Sequence, residues 1–351
     1  AILQAKSNIE KFHRAQIKEE LVVETMPGVI CKRRSVPIEK VGLYIPGGTA
    51  PLFSTVLMLG VPAKIAGCDQ IVLCTPADQT GKVHPAILFT AFLLEIDHIY
   101  KIGGAQAIAA MAYGTETVPE TDKIFGPGNQ FVTRAKQFVS MDRVSIDMPA
   151  GPSEVLVAVD ESSNASFAAA DLLSQAEHGV DSQVILVSDS TAKVDEILRE
   201  LEAQLHLLPR KEIARKALEN SCAIVVDHNG AVLDVINAYG PEHLILSGRN
   251  AREMSEKVMH AGSVFIGAYT PESAGDYASG TNHTLPTAGW ARSYSGVSLD
   301  SYMKQITYQE ISPEGLKLLG PTIEKMARAE LLEAHKNAVT LRLKAIDHGT
   351  D

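Results

Sequence analysis

SEVLVAVDESSNASFAAADLLSQAEHGVDSQVILVSD, residues 153–189, is the stretch that decides the fold. Two short apolar runs, at 153–160 and 182–189, flank an alanine- and leucine-rich segment with a helical pattern. A strand, a helix and a second strand in this order form the repeating unit of α/β folds with parallel sheets. The stretch therefore predicts an α/β protein.

The same alternation extends over most of the chain. Seven further short apolar runs stand at 41–48, 70–76, 98–104, 121–129, 222–227, 243–248 and 263–267. Four runs precede the Pro- and Gly-rich loop DMPAGPSE at 147–154, and five follow it or begin within it. This grouping predicts two α/β units joined at that loop.

The sequence changes in character after Trp290. A polar stretch at 293–314 leads to a long helical pattern from about 321 to 346. We expect this tail to have no strand partner of its own and to pack on another body, such as a second subunit.

Composition narrows the function classes. The 351 residues are 45% hydrophobic and 21% charged, with a net charge of −10, which disfavours a nucleic-acid partner. The four cysteines lie far apart, so we expect reduced thiols and a cytoplasmic protein. No apolar run reaches the roughly 18 residues of a membrane span. The chain begins in mid-pattern without Met, so we expect that an N-terminal arm is missing.

The segment 164–179 carries possible metal ligands. It reads as one helix, with Asn164 as N-cap and Gly179 just past its end. Gln175 and His178 are three residues apart and are expected on one face of the last turn. Spacing alone favours a helix cap or a surface histidine over a ligand pair, since Gln is an unusual zinc ligand.

Two further segments contain polar residues suited to acid–base chemistry or metal binding. Glu242 and His243 stand where a Pro-containing turn enters a strand, and could divide proton transfer between them. An exposed polar turn is an equal alternative. The Gly-bearing stretch 272–296 reads as a long loop that carries Asp276 and His283, and loops of this length are often functional.

The tail and the Gly-rich turns complete the set of candidates. Gln175, His178 and Asp276 lie in one block, and a histidine from the tail, His335, could supply a fourth ligand beside Glu330. The turns IPGG, IGGAQA and FGPGNQ could hold a pyrophosphate on backbone N–H groups. Pattern alone leaves dinucleotide binding and simple packing equally open.

These segments together resemble the histidinol dehydrogenase family. The matching strings include GLYIPGGTAPL, KIGGAQAIAAMAYGT, IFGPGNQFV, IDMPAGPSEVLV, DLLSQAEHG, YGPEHL, ESAGDYASGTNHTLPT and ARAELLEAH. They stand in family order from about residue 20 to 340, and their joint occurrence is specific. By comparison with the family we expect that an N-terminal arm, which helps to form the dimer in that family, is missing from this sequence.

The resemblance implies a fold with two incomplete Rossmann-like parallel-sheet domains, similar to aldehyde dehydrogenases, and a C-terminal helical tail. Residues 1–43 and 154–297 would form a zinc and substrate domain, 44–153 an NAD-binding domain, and 298–351 a tail that packs on the partner subunit. The implied reaction oxidises L-histidinol to L-histidine through L-histidinaldehyde with two NAD⁺, as the final steps of histidine biosynthesis.

The resemblance also implies roles for individual residues of this chain. The zinc ligands fall on Gln175, His178, Asp276 and His335, with His335 and Glu330 donated across a homodimer interface. Glu242 and His243 are the implied catalytic pair, and NAD contacts fall on Tyr44, Gln106 and Asn129. The implied substrate contacts are Ser153, Gln175, His178, His243, Asp276, His283, Glu330 and His335.

The implied mechanism gives each catalytic residue a distinct role. His243 removes a proton in both oxidations, while Glu242 activates the water that hydrates the aldehyde. A covalent thiohemiacetal on Cys68 or Cys74 is the alternative, although both positions look structural. Rival functions are a paralogue that oxidises another small alcohol, a zinc hydrolase that uses Glu242, and a non-catalytic binding module.

Overall fold

The computed structural model describes residues 1–47 and 51–349. Gly48, the last residue of the predicted IPGG turn, lies outside the described residues. The chain divides into two compact units: Ala1–Gln16 with Pro37–Tyr302, and Ile17–Val36 with the described residues from Met303 onward. Each unit is described by itself.

Thirteen strands lie within the described ranges. In chain order they are β1 Leu21–Met26, β2 Val29–Pro37, β3 Lys40–Tyr44, β4 Gln70–Cys74, β5 His98–Tyr100, β6 Lys123–Phe125, β7 Ser145–Ile146, β8 Glu154–Val159, β9 Gln183–Ser188, β10 Cys222–Val225, β11 His243–Leu246, β12 Ser263–Ile266 and β13 Met303–Ile311.

The same ranges contain thirteen α-helices. They are α1 Ile2–Arg14, α2 Phe53–Ala66, α3 Pro85–Leu93, α4 Gly104–Tyr113, α5 Gln130–Asp142, α6 Ala165–Ala176, α7 Thr191–Leu205, α8 Lys211–Leu218, α9 Asn229–Tyr239, α10 Ala251–Ser255, α11 Glu272–Tyr277, α12 Pro313–Ala329 and α13 Glu333–His348. None of these helices is both long and apolar enough to cross a membrane.

The first unit contains two five-stranded parallel sheets with the same connectivity. The first sheet has the order β5-β4-β3-β6-β7, and the second sheet has the order β10-β9-β8-β11-β12. Each sheet starts at its central strand, adds two strands on one side and then crosses to the other side, as in doubly wound folds. All nine predicted apolar runs overlap a strand of these sheets, so the predicted α/β fold with parallel sheets is confirmed.

The alternation of side chains along β8 explains why helices cover both faces of the second sheet. Val155 and Val157 pack in one core cluster with Ala168 and Leu172 of α6. Leu156 points to the opposite face and packs in a cluster with residues of α9. Strands that are buried on both faces read as continuous apolar runs, which is why the sequence revealed them.

The helix that carries the candidate metal ligands begins as predicted and ends earlier. The Asn164 side chain accepts hydrogen bonds from the Ser166 and Phe167 backbone N–H groups, as an N-cap does. The helix ends at Ala176, so Gln175 lies in its last turn and His178 lies in the turn that follows. The His178 N–H donates to the Gln175 carbonyl oxygen at 3.2 Å, so the turn continues the coil of the helix past its end.

The C-terminal region differs from its prediction in two respects. It contributes β13 to a three-stranded sheet of order β1-β2-β13, so the expectation that it lacks a strand partner was wrong. Most side chains of β13 are exposed, so the strand lacks the apolar run that marks a buried one. The long helical pattern is two helices, because the chain breaks at 330–332, where Leu331 has a φ of 61°.

Candidate active site

The Glu242–His243 pair is buried at the amino-terminal edge of the second sheet. His243 is the first residue of β11 and lies beside Val155 of β8 in the parallel register. Glu242 is 6% exposed and His243 4% exposed, which excludes the exposed polar turn that the sequence left open. The sequence placed this pair correctly at the entrance to a strand.

The backbone of Glu154, the first residue of β8, holds both members of this pair. The Glu154 N–H donates to Oε2 of Glu242 at 2.8 Å, and Nδ1 of His243 lies 3.1 Å from the Glu154 carbonyl oxygen. A carbonyl oxygen can only accept, so Nδ1 carries a proton, and Nε2 is the ring atom left to gain or lose one. Nε2 of His243 is buried and has no hydrogen-bond partner among the described residues.

Helix α11 brings two carboxylates to the same edge. Oδ1 of Asp276 lies 3.6 Å from Nε2 of His243, and Oε1 of Glu272 lies 3.7 Å from Nδ1. Glu272 and Asp276 are four residues apart on α11, so both project from one face. The predicted long loop 272–296 therefore begins with a helix, and that helix positions Asp276.

The end of α6 and the turn after it carry a histidine and a buried amide that could be metal ligands. Nε2 of His178 lies 3.9 Å from Oδ2 of Asp276. One ligand atom each from His178, Glu272 and Asp276 lie within 4.8 Å of one another. Gln175 is fully buried, and neither its amide oxygen nor its nitrogen has a hydrogen-bond partner among the described residues.

The electrostatics of this cluster favour a bound cation. Burial raises the pKa of Glu242 to about 7 and that of Glu272 to about 8. Burial alone would lower the pKa of His243, but Glu242, Asp276 and Glu272 outweigh it and raise that pKa. Near neutral pH burial thus keeps Glu242 and Glu272 partly protonated, and a cation bound beside them would favour their charged forms.

The donor set fits a divalent metal ion such as zinc. An imidazole, a carboxylate and an amide oxygen are available from His178, Asp276 and Gln175, and the Gln175 amide is left unpaired in the protein interior. A buried amide without a hydrogen-bond partner costs free energy, and a metal ion bound to its oxygen would supply the missing partner. Zinc takes nitrogen and carboxylate ligands of this kind.

His283 and Ser153 border the same site. Nδ1 of His283 lies 2.9 Å from the Asp276 backbone oxygen, which ties the segment after α11 back onto that helix. Burial lowers the pKa of His283, so its neutral form is favoured. Ser153 is half-buried and directly precedes Glu154. The segment is also anchored by the Ala288 N–H, which donates to Oε1 of Glu154 at 2.8 Å.

The three predicted NAD residues lie at the carboxyl-terminal edge of the first sheet. Tyr44 ends β3, and its hydroxyl oxygen accepts the Gly104 N–H at 3.0 Å across the turn that follows β5. Asn129 follows β6 and caps α5, accepting the Phe131 and Val132 N–H groups at 3.1 Å. Gln106 is exposed in the first turn of α4.

Close packing brings these turns together. A Cβ on Gly103 would lie 2.7 Å from Pro76, which follows β4, and a Cβ on Gly47 would collide with the same proline ring. Glycine at both positions lets the turns after β3, β4 and β5 approach one another closely. The backbone N–H groups there form an edge of the type that binds phosphates.

Glu330 and His335 belong to the second unit. Glu330 follows the last residue of α12, and His335 lies in the first turn of α13. Both side chains are exposed. The break between α12 and α13 lies between them, so the two residues do not share one continuous helix.

The cysteines show no features of a nucleophile. Cys68 and Cys74 are buried, and burial raises the pKa of each thiol to about 12, which disfavours the thiolate. All four cysteines are unpaired.

Sequence reasoning missed Glu272, which is only 1% exposed. Its side chain contacts Ser174, whose hydroxyl donates to Oε2 at 3.2 Å, and so connects α11 to the helix that carries Gln175. The four-residue spacing from Asp276 was the available indication, and reading the region as a loop concealed it.

Comparison with known proteins decides the family. The model of the histidinol dehydrogenase family matches residues 1–343. The chain belongs to the histidinol dehydrogenase family. The histidinol dehydrogenase of Bacteroides thetaiotaomicron is 63% identical over 346 residues, which are 99% of this chain and 81% of that protein.

Solved structures agree with the family and with the fold. Histidinol dehydrogenase from Elizabethkingia anophelis superimposes with a TM-score of 0.97 at 58% identity, covering 99% of this chain and 80% of that one. A betaine aldehyde dehydrogenase from Staphylococcus aureus gives a TM-score of 0.56 at 11% identity, with coverages of 84% and 72%. The second likeness concerns the fold alone, and it confirms the predicted aldehyde-dehydrogenase-like architecture.

Proposed function

We propose that this histidinol dehydrogenase family member is a zinc-containing enzyme that oxidises L-histidinol to L-histidine through L-histidinaldehyde with two NAD⁺. The family assigns an oxidoreductase of histidine biosynthesis. The observation that carries the proposal is the buried Glu242–His243 pair beside Asp276 and His178, together with the unpaired buried amide of Gln175. The predicted residue roles remain proposals.

Gln175, His178 and Asp276 would hold the zinc ion from one chain, with His335 as the fourth ligand from a partner chain. When bound, zinc supplies a template for the amino and imidazole nitrogens of the substrate. Glu272 adds negative charge beside the ligands and, through Ser174, fixes α11 against α6. Such supporting carboxylates orient ligands and tune their basicity.

His243 would act as the base in both oxidations. Its Nδ1–H donates to the Glu154 carbonyl, so Nε2 is the ring atom that faces Asp276. Once a bound cation offsets the carboxyl groups that raise the pKa of this ring, Nε2 would accept the hydroxyl proton of the substrate as a hydride leaves. Burial excludes water from the ring, and the hydrogen bond to Glu154 holds it in one tautomer and one orientation.

Glu242 would serve the second step. Its Oε2 is held by the Glu154 N–H, and burial raises its pKa to about 7. A carboxylate with a pKa near neutrality is a suitable base for the water that adds to an aldehyde. The shared anchor on Glu154 keeps the two bases side by side, so that one site performs both half-reactions.

NAD⁺ would lie on the carboxyl-terminal edge of the first sheet, at Tyr44, Gln106 and Asn129. Ser153 and His283 would contact the substrate at the other edge. Glu330 and His335 would be contributed across a homodimer interface, which gives the exposed positions in the second unit a role. The unpaired cysteines support a cytoplasmic location.

The test is an assay of zinc-loaded protein with L-histidinol and NAD⁺. We expect two NADH per histidine formed, loss of activity on chelation and recovery with Zn²⁺. Simple diols should give little NADH if the substrate is histidinol, whereas equal rates would favour a paralogue. Absence of NADH formation with every alcohol would overturn the proposal and favour a hydrolase.

A further inference from the structure

A buried ion pair lies directly behind one turn of the first sheet. Nζ of Lys136, on α5, contacts Oδ1 of Asp147, which follows β7. The two side chains are 5% and 1% exposed. Neither residue belongs to the proposed catalytic or cofactor contacts.

Both charges bind the same residue, Gly126. The Gly126 N–H donates to Oδ2 of Asp147 at 2.8 Å, and Nζ of Lys136 donates to the Gly126 carbonyl oxygen at 2.8 Å. Asp147 also accepts the Met148 N–H at 2.7 Å, which anchors its carboxylate to the chain. Every polar group of Gly126 is therefore held by a charged side chain.

Gly126 is the first residue of the turn that carries Asn129. It has a φ of 122°, and a Cβ at this position would collide with the carbonyl oxygen of Tyr44. Only glycine adopts this conformation without strain and permits such close approach. The turn is thus fixed on one side by the end of β3 and on the other by the ion pair.

Buried ion pairs are poor stabilisers, because the cost of removing two charges from water offsets their attraction. Apolar residues of similar size would avoid that cost, but they would leave the Gly126 N–H and carbonyl oxygen without these partners. What an apolar pair cannot do is hold the N–H and the carbonyl group of one glycine at fixed positions. The pair therefore fixes the position of Gly126 rather than adding stability.

We propose that Lys136 and Asp147 are positioning residues that hold the Gly126–Asn129 turn in the shape required for the dinucleotide. The inference rests on the proposed NAD⁺ site at this edge. Loss of the pair lets the turn move, which weakens cofactor affinity and leaves unchanged the histidinol contacts, none of which involves Lys136 or Asp147.

The experiment compares Lys136→Met, Asp147→Asn and Lys136→Arg in the zinc-loaded protein. NAD⁺ affinity is measured by calorimetry, and KM is measured separately for NAD⁺ and histidinol. We expect the first two variants to weaken NAD⁺ binding about tenfold or more, since hydrogen bonds to charged groups are lost. The histidinol KM should stay within about twofold, and Lys136→Arg should recover part of the affinity.

Lys193→Met is the matched control. Lys193 donates to the Ser163 carbonyl oxygen at 2.9 Å in the turn that follows β8, so it holds a turn of the other sheet in a similar way. Its replacement should leave NAD⁺ affinity unchanged. Melting temperatures of all variants separate loss of stability from loss of affinity.

The outcomes are distinct. Folded Lys136→Met with wild-type NAD⁺ affinity overturns the inference, as does an equal rise of KM for both substrates. If Lys136→Met and Asp147→Asn do not fold, Lys136→Arg decides, and unchanged NAD⁺ affinity in that variant overturns the inference. If the wild-type protein binds no NAD⁺, the proposed cofactor site itself is wrong.

Discussion

The two parallel sheets share one strand order and place their candidate functional residues on opposite edges. In the first sheet, Tyr44 ends β3 and Asn129 follows β6, so this group lies at the carboxyl-terminal edge. In the second sheet, Glu154 begins β8 and His243 begins β11, so the acid–base pair lies at the amino-terminal edge. Connectivity therefore does not determine which edge is used.

The carboxyl-terminal edge of the second sheet explains part of this difference. It borders a small cavity of about 20 Å³ lined by Asp160, Gly248 and Asn250. The Asp160 carboxylate already accepts the Ser162 and Arg249 N–H groups, at 2.8 and 2.7 Å. Because this carboxylate already accepts the N–H groups at the edge, they are not available to a phosphate. Its negative charge would also repel a phosphate. Function resides in the side chains placed on a fold.

The largest expected effect is at the amino-terminal edge. Asp276→Ala removes the carboxylate that approaches both His178 and His243. Zinc content should fall to background, and histidinol oxidation should fall to the detection limit, because a metal template contributes several kcal/mol. Elemental analysis and NADH formation measure both, with the exposed Asp195→Asn on α7 as the control. Full zinc occupancy in Asp276→Ala would contradict the assignment of the metal site to this edge.

Glu242→Gln separates the two half-reactions. It should slow histidinaldehyde oxidation by about 10²–10⁴-fold, the usual contribution of a general base, and affect the alcohol step much less. His243→Gln should slow both steps. Single-turnover assays that start from each substrate measure the difference. Equal losses of both steps in Glu242→Gln would show that the two bases do not divide the work.

Glu272→Gln tests the carboxylate that sequence reasoning missed. The substitution keeps the size of the side chain and its contact with Ser174, and removes a charge beside the proposed ligands. Zinc affinity should fall about 10–100-fold, as for other supporting groups around metals. Competition with a chelator measures it. An unchanged zinc affinity would mean that this carboxylate has only a packing role.

Tyr44→Phe tests the carboxyl-terminal edge of the first sheet. It removes the acceptor of the Gly104 N–H, a bond whose loss costs about 1 kcal/mol, so KM for NAD⁺ should rise about fivefold. The control is Tyr113→Phe, because Tyr113 is exposed at the end of α4 and its hydroxyl donates to Asp142 instead. Equal cofactor KM values for the two variants would contradict the edge assignment.

The smallest effect is expected at the thiols. Cys74 ends β4 at the same edge as Tyr44, and a pKa of about 12 leaves about one thiolate in 10⁴ at pH 8. Alkylation of native protein at pH 8 should modify exposed Cys222 and spare Cys74. Because burial raises this pKa, reactivity appears only at much higher pH. Cys74→Ser should retain activity within about twofold, and its inactivation would favour a thiohemiacetal mechanism.

The fold was predictable where strands are buried on both faces. Runs such as Val155–Val159 are continuously apolar, and they identified nine strands and the two units. Exposed strands gave no such pattern: every residue of β1 except its last is exposed, and β7 has two residues. The resemblance to a family then confirmed what periodicity left open about function.

The candidate site was predictable in part for a similar reason. Glu242 and His243 stand next to an apolar strand, which located them in the fold. Glu272 lies in a short polar helix whose burial depends on packing against α6, so composition could not distinguish it from a loop residue. The role of the Glu154 backbone depends on strand register, which only the structure provides.

The central claim is that the cofactor and the metal occupy opposite edges of two similarly connected sheets. The most direct measurement is an anomalous-diffraction structure of crystals grown with Zn²⁺, L-histidinol and NAD⁺. The account predicts zinc between Gln175, His178 and Asp276, and the dinucleotide at Tyr44, Gln106 and Asn129. Zinc bound elsewhere, or a dinucleotide beside Asp160 on the second sheet, would contradict it.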